Sequence, residues 1–172
     1  MKSLSLIGVL LAVLLTTVSA QDLTNVNFRL RDLNGKEHSF QQLLQSIRGS
    51  DERPQKGVLM VSFWAMWCEP CKQEMKAMVP VFKKLKDKNF HYLAINTDRP
   101  KSLAKVKAYV KAQELPYNFW LDPNSEVFKK LNGQSMPYAL LITEKGELLK
   151  KSVGFLAGDE AEVEKTILKY LE

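Results

Sequence analysis

Val58-Leu59-Met60-Val61-Ser62-Phe63-Trp64-Ala65-Met66-Trp67-Cys68-Glu69-Pro70-Cys71 holds the only two cysteines of the 172-residue chain, with two residues between them, directly after a near-continuous apolar run. Such a run reads as a strand buried on both faces. A Cys-x-x-Cys where a buried strand gives way to a helix is the arrangement of a redox-active dithiol. One thiolate must attack a disulfide, and a second thiol must stand close enough to resolve the mixed disulfide that results. A helix start offers unpaired N–H groups and the positive end of the macrodipole, and both favour a thiolate over a thiol. Cys68 sits at or just before that start and is the expected nucleophile. Cys71, one turn in, is the expected resolving thiol.

Two plainer readings compete. Structural zinc takes four ligands, yet the chain has no third cysteine, and His38 and His91 lack a ligand-like spacing. A purely stabilising disulfide would join distant segments, whereas closing a loop this short contributes roughly 2 kcal/mol in the chain-entropy picture. No cofactor or metal is called for.

The N-terminus carries a second signal. Lys2 is followed by an apolar stretch over residues 4–18, and Val18-Ser19-Ala20 supplies the small residues of a cleavage site. Residues 1–20 are therefore expected to be a signal peptide, with a single domain over residues 21–172. The alternative is an uncleaved anchor, for which residues 4–18 are somewhat short of a bilayer span. Lys2 leaves with the signal, so the net charge falls from +6 to +5. That surplus is rich in lysine and spread along helical segments, without an arginine stripe or interleaved aromatics, which excludes nucleic acid as the expected partner. Export places the cysteine pair where disulfides persist, in the periplasm or another extracytoplasmic space. A monomer is expected.

Along the chain, Phe28-Arg29-Leu30-Arg31 alternates, Asp32-Leu33-Asn34-Gly35 turns, and residues 36–40 return, which predicts a β-hairpin. A short helix is expected over 40–47. Beyond Cys71 a helix should bury Met75, Met78, Val79, Phe82 and Leu85, with Pro80 as a kink. Residues 91–96 read as a strand and 101–113 as an amphipathic helix with Leu103, Val106 and Val110 inside. A strand over 118–121 and a short helix through 131 follow. Residues 138–143 and 147–153 form a second hairpin, and Asp159 should cap a final helix that carries Val163, Ile167, Leu168 and Leu171 on one face. The order is that of an α/β fold with a central mixed sheet and helices on both faces.

Phe63-Trp64-Ala65-Met66-Trp67-Cys68-Glu69-Pro70-Cys71-Lys72 resembles the active-site stretch of the thioredoxin superfamily, and Met136-Pro137 stands where that family places a cis-proline. The N-terminal hairpin, the long 98–137 interval with room for an inserted helix and strand, and Glu69-Pro70 between the cysteines narrow the resemblance. They point to exported thiol–disulfide oxidoreductases of the TlpA and ResA type, including reductases of cytochrome c maturation. The resemblance implies Cys68 as nucleophile, Cys71 as resolving thiol, Trp67 shielding the pair, and Pro137 holding a substrate strand. It also implies Glu74 as a cavity carboxylate that relays a proton to or from Cys71. The residue type alone equally allows Glu74 to be solvated surface. Ser62 stands where thioredoxins keep a buried aspartate, Lys76 where relatives often have a proline, and Met136 where threonine is common.

These readings converge on an oxidoreductase acting on protein thiols and disulfides, supplied by a reducing membrane or periplasmic electron donor. Glu69 and Glu74 disfavour a thiolate, and a less stabilised thiolate makes a poorer oxidant, so a reductase is expected. The rival from another class is a copper- or other metal-binding carrier of the same fold, distinguishable by titrating the reduced protein with metal. A peroxidase would need a different context around its reactive cysteine.

Overall fold

The strand Val58–Trp64 is buried along its whole length, which requires pairing on both edges and helices on both faces. The computed structural model describes residues 23–172, so the expected signal peptide lies outside the described residues. In chain order the elements are β1 (Arg29–Asp32), β2 (Glu37–Ser39), α1 (Phe40–Arg48), β3 (Gly49–Ser50), β4 (Arg53–Pro54), β5 (Val58–Trp64) and α2 (Glu69–Leu85). They continue with β6 (Phe90–Asn96), α3 (Leu103–Ala112), β7 (Asn118–Leu121), α4 (Glu126–Lys130), β8 (Tyr138–Thr143), β9 (Leu148–Val153) and α5 (Asp159–Leu171).

Seven strands form one mixed sheet in the order β2-β1-β7-β6-β5-β8-β9. β5, β6 and β7 run parallel, as strand–helix–strand units require. β8 and β9 return antiparallel. The N-terminal hairpin is not a separate appendage. β1 pairs with β7 through Arg31↔Leu121 and Asp32↔Trp120, so the inserted strand is the edge onto which the hairpin adds.

Strand alternation sorts the core. Val58, Met60 and Trp64 of β5 and Tyr92 and Ala94 of β6 face α2, α3 and α5. Leu59, Val61, Phe63, Leu93 and Ile95 face α1 and α4. Helices therefore cover both faces, and the fold is thioredoxin-like. Among the described residues, no helix is long and apolar enough to cross a membrane.

Several local expectations need correction. In α2 the buried residues are Cys71, Glu74, Met75, Met78, Val81 and Leu85. Val79 and Phe82 only border the core. Phe82 lays its ring edge against Phe90 and Tyr117 at the rim, where so large a ring keeps one side in solvent. Pro80 sits within one continuous helix. α3 begins after a 3-10 turn over Pro100–Ser102, and of its expected inner face only Val106 is fully buried. The cap of α5 is Gly158, at φ 106°, a backbone conformation that favours glycine. Asp159 lies one residue inside the helix and accepts a hydrogen bond from Leu156 N at 2.8 Å.

Candidate functional site

At the C-terminal end of β5 the chain turns through Ala65–Cys68 into α2. The turn closes with Cys68 N donating to Ala65 O at 3.0 Å. Cys68 is the N-cap residue of α2, and its sulfur accepts from Cys71 N at 3.3 Å. Pro70 occupies the first turn, where its missing N–H breaks no helical bond. Cys68 and Cys71 are joined by a disulfide with their Cα atoms 5.4 Å apart. In this oxidised form the two cysteines hardly differ in exposure. Cys68 is 3% exposed and Cys71 1%, so only position on the helix separates them. Trp67 beside them is 73% exposed, its indole open to solvent.

The tip of β6 grips this turn. Thr97 N donates to Trp64 O at 3.0 Å, and Asp98 Oδ2 accepts from Met66 N at 2.7 Å. Buried Asn96 donates to the same Asp98 oxygen at 2.9 Å and accepts from Asp98 N at 3.1 Å. Sequence reasoning passed over this cluster. Its one legible signal was a run of short polar side chains at a strand end, a common source of side-chain bonds to backbone.

Met136–Pro137 is cis. The pairing Phe63↔Tyr138 carries this peptide to the end of β5 that bears the cysteines, and Thr97 Oγ1 lies 3.6 Å from Met136 Sδ. Pro137 O is taken by Gly154 N at 2.8 Å. The proline carbonyl is thus not the group left for a substrate strand.

Glu74 is 3% exposed, one turn beyond Cys71 on the buried side of α2. Its Oε1 accepts from both Ser62 Oγ and Tyr92 OH, the latter at 2.9 Å. Ser62 and Tyr92 meet it because even positions of adjacent parallel strands point to the α2 face. Burial pushes the Glu74 carboxyl above the ordinary glutamate value, the two hydroxyls pull against that rise, and the charge of Asp159 adds to it. Tyr92 stacks on Tyr117 with ring centroids 4.1 Å apart, and burial drives its hydroxyl well above the ordinary tyrosine value. At the surface Lys72 pairs with Glu69 at 3.2 Å. The histidines are engaged elsewhere, His38 with Asp32 at 2.9 Å and His91 with Asn89 at 2.8 Å.

Residues 19–151 match the AhpC/TSA family. The chain belongs to that family. Within it, the chain is 30% identical to the thiol-disulfide oxidoreductase ResA of Geobacillus kaustophilus, over 85% of this chain and 76% of that protein. It is 31% identical to the thioredoxin-like protein YneN of Bacillus subtilis, over 79% and 73%. The match to ResA of Bacillus cereus, at 29% identity, spans 74% of this chain but 66% of that relative's length. Among solved structures, a Chlorobium tepidum protein provisionally named thiol:disulfide interchange protein DsbE superposes with a TM-score of 0.71 at 26% identity. That superposition covers 85% of this chain and 94% of that one. This member of the AhpC/TSA family therefore carries the Cys-x-x-Cys disulfide on the fold its relatives share.

Proposed function

We propose that the protein is an extracytoplasmic thiol–disulfide oxidoreductase of the ResA and DsbE type, working as a reductase of protein disulfides. The observation that carries this reading is the Cys68–Cys71 disulfide at the start of α2, at the same end of β5 as cis-Pro137. In the reduced protein, the Cys68 thiolate attacks a substrate disulfide. A Cys68–substrate bond forms, the substrate's own S–S bond breaks, and the first substrate sulfur leaves as a thiolate. Cys71, deprotonated by Glu74, then attacks Cys68 Sγ. The enzyme disulfide forms, the second substrate thiolate leaves with the electron pair, and the substrate is reduced by two electrons. A membrane or periplasmic dithiol donor restores the enzyme.

The finer assignments belong to this reading. Residues 1–20 direct export. Trp67 and cis-Pro137 flank the entering substrate strand, with the Met136 backbone as its pairing edge. Glu69-Pro70 between the cysteines favours a role in cytochrome c maturation. Replacing Cys71 by Ser is expected to trap substrate proteins on Cys68 as mixed disulfides that dithiothreitol releases. Capture of nothing by Cys71→Ser, or equal capture by Cys68→Ser, would overturn the assignment.

A further inference from the structure

Glu74 has two carboxyl oxygens, and the fold treats them differently. Oε1 takes both hydroxyl bonds, from Ser62 and Tyr92. The residue also lines a separate cavity of about 20 Å³, between the start of α5 and the end of β9, together with Met78, Ser152, Gly154, Asp159 and Glu160. Room of this size admits about one water. Neither cysteine, nor Trp67, nor Pro137 lines it.

That separation matters chemically. When Cys71 resolves a mixed disulfide, its S–H bond breaks as the Cys68–Cys71 bond forms, and Glu74 receives the proton. At that moment the substrate covers the disulfide. The proton needs a route that does not cross the covered face, and the cavity is one.

We propose that Asp159 is a positioning residue for proton exchange at Glu74, accepting through a single cavity water the proton that Glu74 takes from Cys71 and passing it to solvent beside α5. This rests on the role given to Glu74 under the proposed function. The polar groups that bond to Glu74, feel its charge or share its cavity are Ser62 from β5, Tyr92 from β6, Tyr117 before β7, Ser152 from β9, and Asp159 and Glu160 from α5. Of the two α5 acids that line the cavity, Asp159 is the one whose charge raises the Glu74 carboxyl. Asp159 is held in place by its bond from Leu156 N, which an asparagine oxygen can also accept.

The experiment uses the reduced protein and an aromatic disulfide, 5,5′-dithiobis(2-nitrobenzoate), in single turnover. The first thionitrobenzoate reports attack by Cys68 and the second reports resolution by Cys71. Asp159→Asn is expected to move the pH midpoint of the second phase down by about half a unit, roughly threefold in proton affinity, and to leave the first phase alone. Asp159→Glu should restore the midpoint. Ser152→Val, which narrows the cavity, should slow the second phase severalfold. Glu74→Gln, run in parallel, should abolish the midpoint. If Glu74→Gln does so while Asp159→Asn and Ser152→Val both match the wild type, the exit route is wrong and the role of Glu74 stands. If Glu74→Gln leaves the profile intact, the role of Glu74 fails and the route with it.

Discussion

Glu74 shows how one side chain changes meaning once its surroundings are known. By residue type and helix position it could have been solvated, but the i, i+3 spacing from Cys71 turns it inward between Ser62 and Tyr92. Its raised carboxyl has a stability consequence whose sign is definite. Across the interval from the ordinary glutamate value up to the raised one, the folded protein keeps a proton that the unfolded chain has already released. Folding stability contributed by this group therefore falls as pH rises through that interval. Glutamine imitates the protonated acid and removes the fall. Urea midpoints of oxidised Glu74→Gln should match the wild type on the acid side and exceed it on the alkaline side. A wild type that stays the more stable of the two at alkaline pH would mean that Glu74 is ionised and well solvated. Cys68 and Cys71 were legible from spacing alone, because their chemistry is local. Glu74 was half legible, because burial depends on what packs over the helix.

Among the elements, the turn between β5 and α2 is held less by its own sequence than by the tip of β6. Asp98→Ala leaves Met66 N and the buried Asn96 amide without their acceptor. Losing such a partner costs about 1–3 kcal/mol, so the denaturation midpoint should fall accordingly. A change within experimental error would show that water replaces the carboxylate at no cost. α4 is tied down similarly. Buried Asp122 accepts from Glu126 N and Phe128 N, each at 2.9 Å, while Ser125 at the cap makes no side-chain bond. Asp122→Ala should therefore cost about 0.5–2 kcal/mol, as a lost cap does, whereas Ser125→Ala should cost less. Equal costs would refute the view that Asp122 does the capping. A short helix through 131 was expected from the sequence, but the capping bonds from Asp122 reach four and six residues ahead, beyond any simple capping motif.

For the molecule as a whole, the question is the direction of electron flow. Glu69 between the cysteines opposes a thiolate, as Glu74 does wherever it is ionised, and the Lys72 ammonium is already paired with Glu69. The helix start favours a thiolate in reductases and oxidants alike, so it does not discriminate. The potential should therefore lie nearer the thioredoxin value of about −270 mV than the roughly −120 mV of a strong periplasmic oxidant. Equilibration with glutathione or dithiothreitol buffers measures it. A value above about −180 mV would make the protein an oxidase or isomerase.

From its amino-acid order alone, this chain determined the seven strands of its main sheet, its α-helices and its dithiol, though not the short β3–β4 ladder. Period-2 and helical apolar patterns, turn residues and the two-residue gap between cysteines are all short-range quantities. Tertiary structure alone decided the remainder. Docking of the hairpin onto β7, the grip of Asn96, Thr97 and Asp98 on the turn between β5 and α2, and the enclosure of Glu74 by β5, β6 and α5 join segments tens of residues apart. Strand order and helix placement set those meetings. Local periodicity says which face of a segment is apolar, and says nothing of which other segment will cover it.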